Sequence, residues 1–143
     1  MTIPPYDATL THPLTTDALL EDRVSALIGR ACRRQLWFLF LDADEVQRPL
    51  LLPFCDPPIH PDNSLPILAR VVAEAIESEN AHSVIVVIER YADAAFTESD
   101  REWARAISDE FHAQSLVVRC FLVSHRRGVR WFAPDDYRFA VTG

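Results

Sequence analysis

A chain of 143 residues, 49% apolar and 24% charged, can bury a full core without disulfide or metal staples, which excludes wholesale disorder. A net charge of −7 excludes the broadly basic surface that non-specific nucleic-acid binding requires, and no apolar run approaches the ~20 residues of a membrane span. With only Gly29, Gly128 and Gly143 there is no glycine-rich phosphate loop and no G-x-S-x-G elbow.

Residues 1–16, with Pro4, Pro5 and Pro13, lack periodicity and are expected to form an extended N-terminal arm. Having neither a charged n-region nor an apolar h-region, this stretch does not read as a secretory leader, and cytoplasm is the expected compartment. Residues 17–143 read as a single α/β domain. From Asp17, Leu20, Val24, Leu27, Ile28 and Ala31 recur at helical spacing, with Thr16 or Asp17 as cap. Arg30, Arg33 and Arg34 are expected in the last turns of this helix, where its dipole favours cations. Leu36 to Leu41 (LWFLFL) is short, aromatic and wholly apolar, the pattern of a buried strand. Asp42 to Glu45 has part of the acidic spacing of a cation loop without the glycine and distal glutamate of an EF-hand, and reads as a hairpin turn.

The second strand, Val46 to Pro53, carries Pro49 and Pro53. Proline cannot donate to a ladder, so this strand belongs at a sheet edge. Beyond a proline-rich loop, Asp62, Asn63 and Ser64 offer caps and Pro66 suits a first turn. Leu65, Leu68, Val72, Ala75 and Ile76 then mark a second helix, which Asn80 can end in a left-handed conformation. Ser83 to Ile88 (SVIVVI) is a strand whose two faces both demand cover. Thr97-Glu98-Ser99-Asp100 is a capping box with Asp at its fourth place, opening a helix with Trp103, Ile107 and Phe111 on its buried stripe. Leu116 to Val123 is again apolar, His125 to Gly128 forms a turn, and Val129 to Phe132 returns as a half-polar strand. Ala133 to Gly143 carries no assigned element.

Helical crossovers imply parallel pairing of strands two and three, of three and four, or of both. The three strands apolar on both faces belong in the centre, with the second and fifth at the margins. The order α-β-β-α-β-α-β-β then gives a three-layer α/β/α fold around a mixed five-stranded sheet of order 2-1-3-4-5.

Over residues 17–133 this architecture resembles the cytidine deaminase-like fold and the related JAB and RadC-like domains. The resemblance implies a metal site where the second and third helices begin. A deaminase needs His/Cys-x-Glu at the first place and P-C-x-x-C at the second. This chain has His60-Pro61-Asp62 and Thr97-Glu98-Ser99-Asp100, so both thiolates are missing. A JAB-like site needs H-x-H-P after the third strand and Ser-x-x-Asp downstream. Thr97-x-x-Asp100 is similar to the latter, but Val86 to Asp93 holds no histidine. The scaffold is therefore expected without its zinc chemistry, and no cofactor is expected. The arginine-only, alanine-rich composition also resembles that of short actinobacterial proteins.

In this topology the ends of strands two, three and four meet at one rim, where open α/β sheets bind ligands. The rim would gather Cys55, Asp56, His60, Glu89, Arg90, Asp93, Asp100, His125, Arg126 and Arg127, with Arg33, Arg34 and Gln35 from the start of strand one. Cys55, His60 and Asp100 would suit zinc if they converged. Glu89-Arg90 suits either an acid with its orienting partner or an internal ion pair. Arg33, Arg34, Arg90, Arg126 and Arg127 are candidates for holding a phosphate or carboxylate. The cysteines Cys32, Cys55 and Cys120 lack C-x-x-C spacing and are expected reduced and buried. The expected function is a non-catalytic binding or regulatory domain. The alternative is a divergent, metal-dependent hydrolase using Glu89, Asp100 and His60. A second copy or another protein is the expected partner, docked through an edge strand or the arm, with Trp131 as an exposed contact. Neither nucleic acid nor membrane is expected.

Overall fold

A computed structural model describes residues 13–138. Most of the expected arm and the tail beyond Arg138 lie outside the described residues. The elements run α1 (Asp17–Leu27), β1 (Gln35–Leu41), β2 (Gln47–Cys55), α2 (Leu65–Ser78), β3 (Ser83–Glu89), α3 (Glu98–Ala113), β4 (Val118–His125), β5 (Gly128–Phe132) and a short α4 (Pro134–Tyr137). The five strands form one mixed sheet of order β2-β1-β3-β4-β5. Only β3 and β4 pair in parallel; β1 lies antiparallel to both β2 and β3, and β5 antiparallel to β4.

The two faces are covered unequally, and alternation along the strands sorts the core. Leu36, Phe38, Phe40, Val84, Val86, Ile88, Phe121 and Val123 pack against α2 and α3, with Trp103, Ile107 and Phe111 from the longer helix. Leu39, Leu41, Ile85, Val87 and Leu122 pack on the other face against Leu20 and Val24 of α1, with Leu14. Leu14 is buried and its N–H donates to the Glu45 carbonyl, so this part of the expected arm docks on the body.

Local chemistry sets the boundaries. Thr16 caps α1 by accepting from the Leu19 N–H, and Thr97 with Asp100 closes a complete capping box on α3. The Asp42 carboxylate accepts from the Asp44 and Val46 N–H groups and closes the β1–β2 turn. Asn80 takes φ +52 after α2.

The first helix stops seven residues short of the expected last turns. Gly29, at φ +67, leaves the helix, and Ala31 donates instead to the His125 carbonyl. Arg30, Arg33 and Arg34 therefore sit in a loop crossing the strand ends, not on a helix terminus. Strands β2 and β4 extend two residues beyond expectation, to Cys55 and His125, because pairing continues past the apolar runs, Gln35 with Cys55 and His125 with Gly128. Pro134 with Asp136, whose carboxylate accepts the Ala133 N–H, makes the unassigned α4.

Candidate functional site

Register brings the rim together: Gln35 faces Cys55 on one side and Glu89 on the other, and Glu89 faces Ser124. Three segments close over these strand ends. The loop 28–34 bonds to β4 through Ala31 N–H to the His125 carbonyl and through the Ser124 hydroxyl to the Gly29 carbonyl. The loop 90–97 bonds to the β4–β5 hairpin through Arg126 N–H to the Ala92 carbonyl.

Neighbouring residues of a strand point to opposite faces, so Glu89 and Arg90 part company instead of pairing. Glu89, 5% exposed, sits on the α1 face. One carboxylate oxygen accepts from the Cys32 and Arg33 N–H groups at 2.7 and 3.2 Å. The other accepts from Trp37 Nε1 at 2.8 Å and Gln35 Nε2 at 3.3 Å. Burial alone would raise its pKa, but these donors outweigh burial and hold the carboxyl below its ordinary value. Arg90 sits on the α3 face. Its Nε and Nη2 grip the Asp100 carboxylate at 3.0–3.1 Å, and its remaining donors take the Asp93 and Ala95 carbonyls. Asp100 also accepts the Thr97 N–H, so one buried ion pair joins the end of β3, the following loop and the start of α3.

The other expected residues separate into fixed and free. Arg34 is spent on the Pro57 and Pro58 carbonyls and the Ser99 hydroxyl, fastening the proline loop to α3. His60 is exposed and faces Glu102 at 2.7 Å. The Cys55 thiol donates to Gln35 Oε1. Cys55, His60 and Asp100 thus have three different sets of partners, and among the described residues no three His, Cys, Asp or Glu side chains are grouped to hold a metal. Arg33, Arg126 and Arg127 are exposed, with no side-chain partner among the described residues.

No protein-family model matches the chain, and no curated protein matches it. The site is therefore read from its own chemistry. Seven of the fourteen arginines, at positions 30, 33, 34, 90, 126, 127 and 130, belong to this end. Against them stand Asp56, Glu89, Asp93 and Asp100, which leaves this set of residues at +3 and the rest of the chain, including Glu98 and Glu102 beside the rim at the start of α3, at −10. An acidic body with one cationic end attracts compact anions to that end.

His125 is nearly buried at the same place. Its pKa is pulled down first by burial, then by Arg90, Arg130 and Arg127, with Asp93 opposing. The expectation of buried cysteines holds only for Cys120, whose thiol burial pushes up to about 12; Cys32 and Cys55 are exposed because they lie in or beside the rim loops. Trp131 is half-buried against the α1-side core instead of standing clear. Sequence reasoning missed Tyr91, whose signal is a lone aromatic in a polar loop, and Trp37 as a partner of Glu89. No helix among the described residues is long and apolar enough to cross a membrane.

Proposed function

We propose that this protein is a non-catalytic binding or regulatory domain whose ligand is an anion held at the arginine-rich rim. One observation carries the reading. The two best-placed acids lie on opposite faces of β3, each already held: Glu89 by four donors and Asp100 by Arg90 and its capping contact. A hydrolytic pair must converge on one reacting atom, with a base free to take a proton. The free side chains here are guanidiniums, which bind anions bidentately and do not shuttle protons near neutrality.

The scaffold belongs, in this proposal, beside the deaminase-like and JAB-like domains. The element order and the sheet order with an antiparallel first strand support that placement. The test is turnover. Purified protein, with and without added zinc, is assayed on nucleotide, ester and peptide substrates. None is expected to turn over; metal-dependent turnover that Glu89→Gln abolishes in folded protein would return the reading to a divergent hydrolase.

A further inference from the structure

Tyr91 directly follows the anchored pair Glu89 and Arg90. Ala92 N–H closes a three-residue turn on the Arg90 carbonyl (3.0 Å) and lifts the Tyr91 ring to 69% exposure, the highest of the large hydrophobic side chains among the described residues. A single exposed ring is ordinary on a protein surface. What surrounds this one is not. Arg126 N–H donates to the Ala92 carbonyl at 2.9 Å, so the arginine hairpin starts against the turn that carries the ring.

His125 is more than nine-tenths buried and takes the Arg127 N–H on Nδ1 at 3.3 Å. In the neutral ring the proton is then on Nε2, and that N–H has no partner among the described residues. Arg130 lies over Phe96, its Cζ 4.0 Å from the ring centroid, and spends one nitrogen on the Ala94 carbonyl. Asp93, the carboxylate facing this group, accepts the Ala95 N–H. The hairpin thus carries two uncommitted guanidiniums and one uncommitted imidazole N–H, and its backbone is bonded to the residue that follows the bare aromatic ring.

Resting on the reading of the rim as an anion-binding site, we propose that this patch takes a compact phosphate ester carrying an aromatic base, the chemistry of a mononucleotide. Arg126, Arg127 and the His125 N–H hold the phosphate oxygens, and Tyr91 stacks on the base. Guanidinium matches phosphate geometry in a bidentate fork. Stacking on an aromatic side chain tolerates any base. The site needs no glycine-rich cradle, because the donors are side chains. A long polyanion would extend past the +3 end onto a body carrying −10, so the patch favours a small ligand over a nucleic-acid strand.

The test uses the full chain, titrated with ADP, pyrophosphate, adenosine and a single-stranded oligonucleotide by calorimetry at two salt concentrations. ADP is expected to bind about tenfold tighter than pyrophosphate, the difference being the stacked base. Arg126→Ala/Arg127→Ala should weaken both by about tenfold or more, and Tyr91→Ala should remove only the advantage of ADP. All three positions are exposed, and unchanged melting curves certify the folds. No ADP binding below millimolar concentration, binding indifferent to these substitutions, or tighter binding of the oligonucleotide overturns the proposal. Phosphate release is followed in the same samples: turnover of bound nucleotide would sink the non-catalytic reading and leave the site standing, pyrophosphate binding without an ADP advantage removes the nucleotide proposal alone, and binding of neither removes the anion reading as well.

Discussion

Replacing Glu89 by glutamine changes one buried oxygen into an NH2 group and deletes a charge while keeping the shape. The carboxylate now accepts two N–H groups on each oxygen. The amide can serve one pair; its NH2 then faces two donors. The least costly orientation turns it toward Gln35 and Trp37, yet Gln35 cannot simply flip to accept, since its own carbonyl already takes the Cys55 thiol. At least one buried donor is left unsatisfied, at about 1–3 kcal/mol, and the two surviving bonds lose their charge assistance at about 1 kcal/mol each. The sum is about 3–5 kcal/mol, a large part of the roughly 5–15 kcal/mol that holds a domain together. At about 4 °C per kcal/mol for this chain length, the melting temperature should fall by about 12–20 °C at neutral pH. The difference should shrink in acid. Because the folded pKa of Glu89 is depressed, its contribution is complete above the ordinary carboxyl value near 4.5 and is lost as pH falls through the folded value. Calorimetric melts of both proteins at pH 7 and in acid measure this. A variant as stable as the parent, or more so, would refute the reasoning, since a residue kept for chemistry costs stability instead of supplying it.

Other consequences are as direct. Asp100→Asn leaves the Arg90 guanidinium buried without its counter-charge and should cost about 3–5 kcal/mol in denaturant melts, whereas Thr97→Ala, which removes only the cap, should cost about 1 kcal/mol. Thiol titration of native protein should find Cys32 and Cys55 at once and Cys120 only on unfolding; three fast thiols would contradict the packing of Cys120 beneath α1. His125, its folded pKa depressed by burial and by Arg90, Arg130 and Arg127 against Asp93, contributes stability that is full above about 6.5 and lost as pH falls through the folded value. The parent should therefore lose stability below pH 6.5, and His125→Gln should not show that loss; equal pH profiles would remove the histidine from the account.

The sheet was legible because its signals are chemical and local. LWFLFL and SVIVVI are too apolar for any place but the centre, and Pro49 and Pro53 allow β2 only an edge. The first helix was overextended for an equally physical reason. Ile28 and Ala31 keep helical spacing, but Ile28 is the helix's C-cap, packed on the α1-face core, and Ala31 is buried only after Gly29 has turned the chain. Glu89 was legible as a rim residue and illegible as an anchor, because two of its donors are main-chain N–H groups that any sequence carries. That Arg90 seeks Asp100 follows from strand alternation once α3 is known to cover that face, and nothing in the pair Glu-Arg reveals which face that is. The four residues of α4 are too few for periodicity, although Pro134 and Asp136 do carry an N-terminal signature.

On the proposed reading, the buried polar groups of the rim hold its loops and the exposed ones are left for a ligand. Glu89 fastens the loop 28–34 across the strand ends from one face, and the Arg90–Asp100 pair fastens the loop 90–97 from the other. Each anchor adjoins an exposed group: Glu89 accepts the main-chain N–H of Arg33, and Arg90 directly precedes Tyr91. Ordering a loop when a ligand arrives costs binding free energy, and a loop already pinned by buried hydrogen bonds has met that cost during folding. Charges buried for catalysis would be left with an open valence toward the ligand; these are saturated inward, with the arginines left facing out. A rim built in this way fits the proposal of an anion held without being transformed: the contacts that occupy Glu89 and Asp100 leave Arg126 and Arg127 as its uncommitted charged groups.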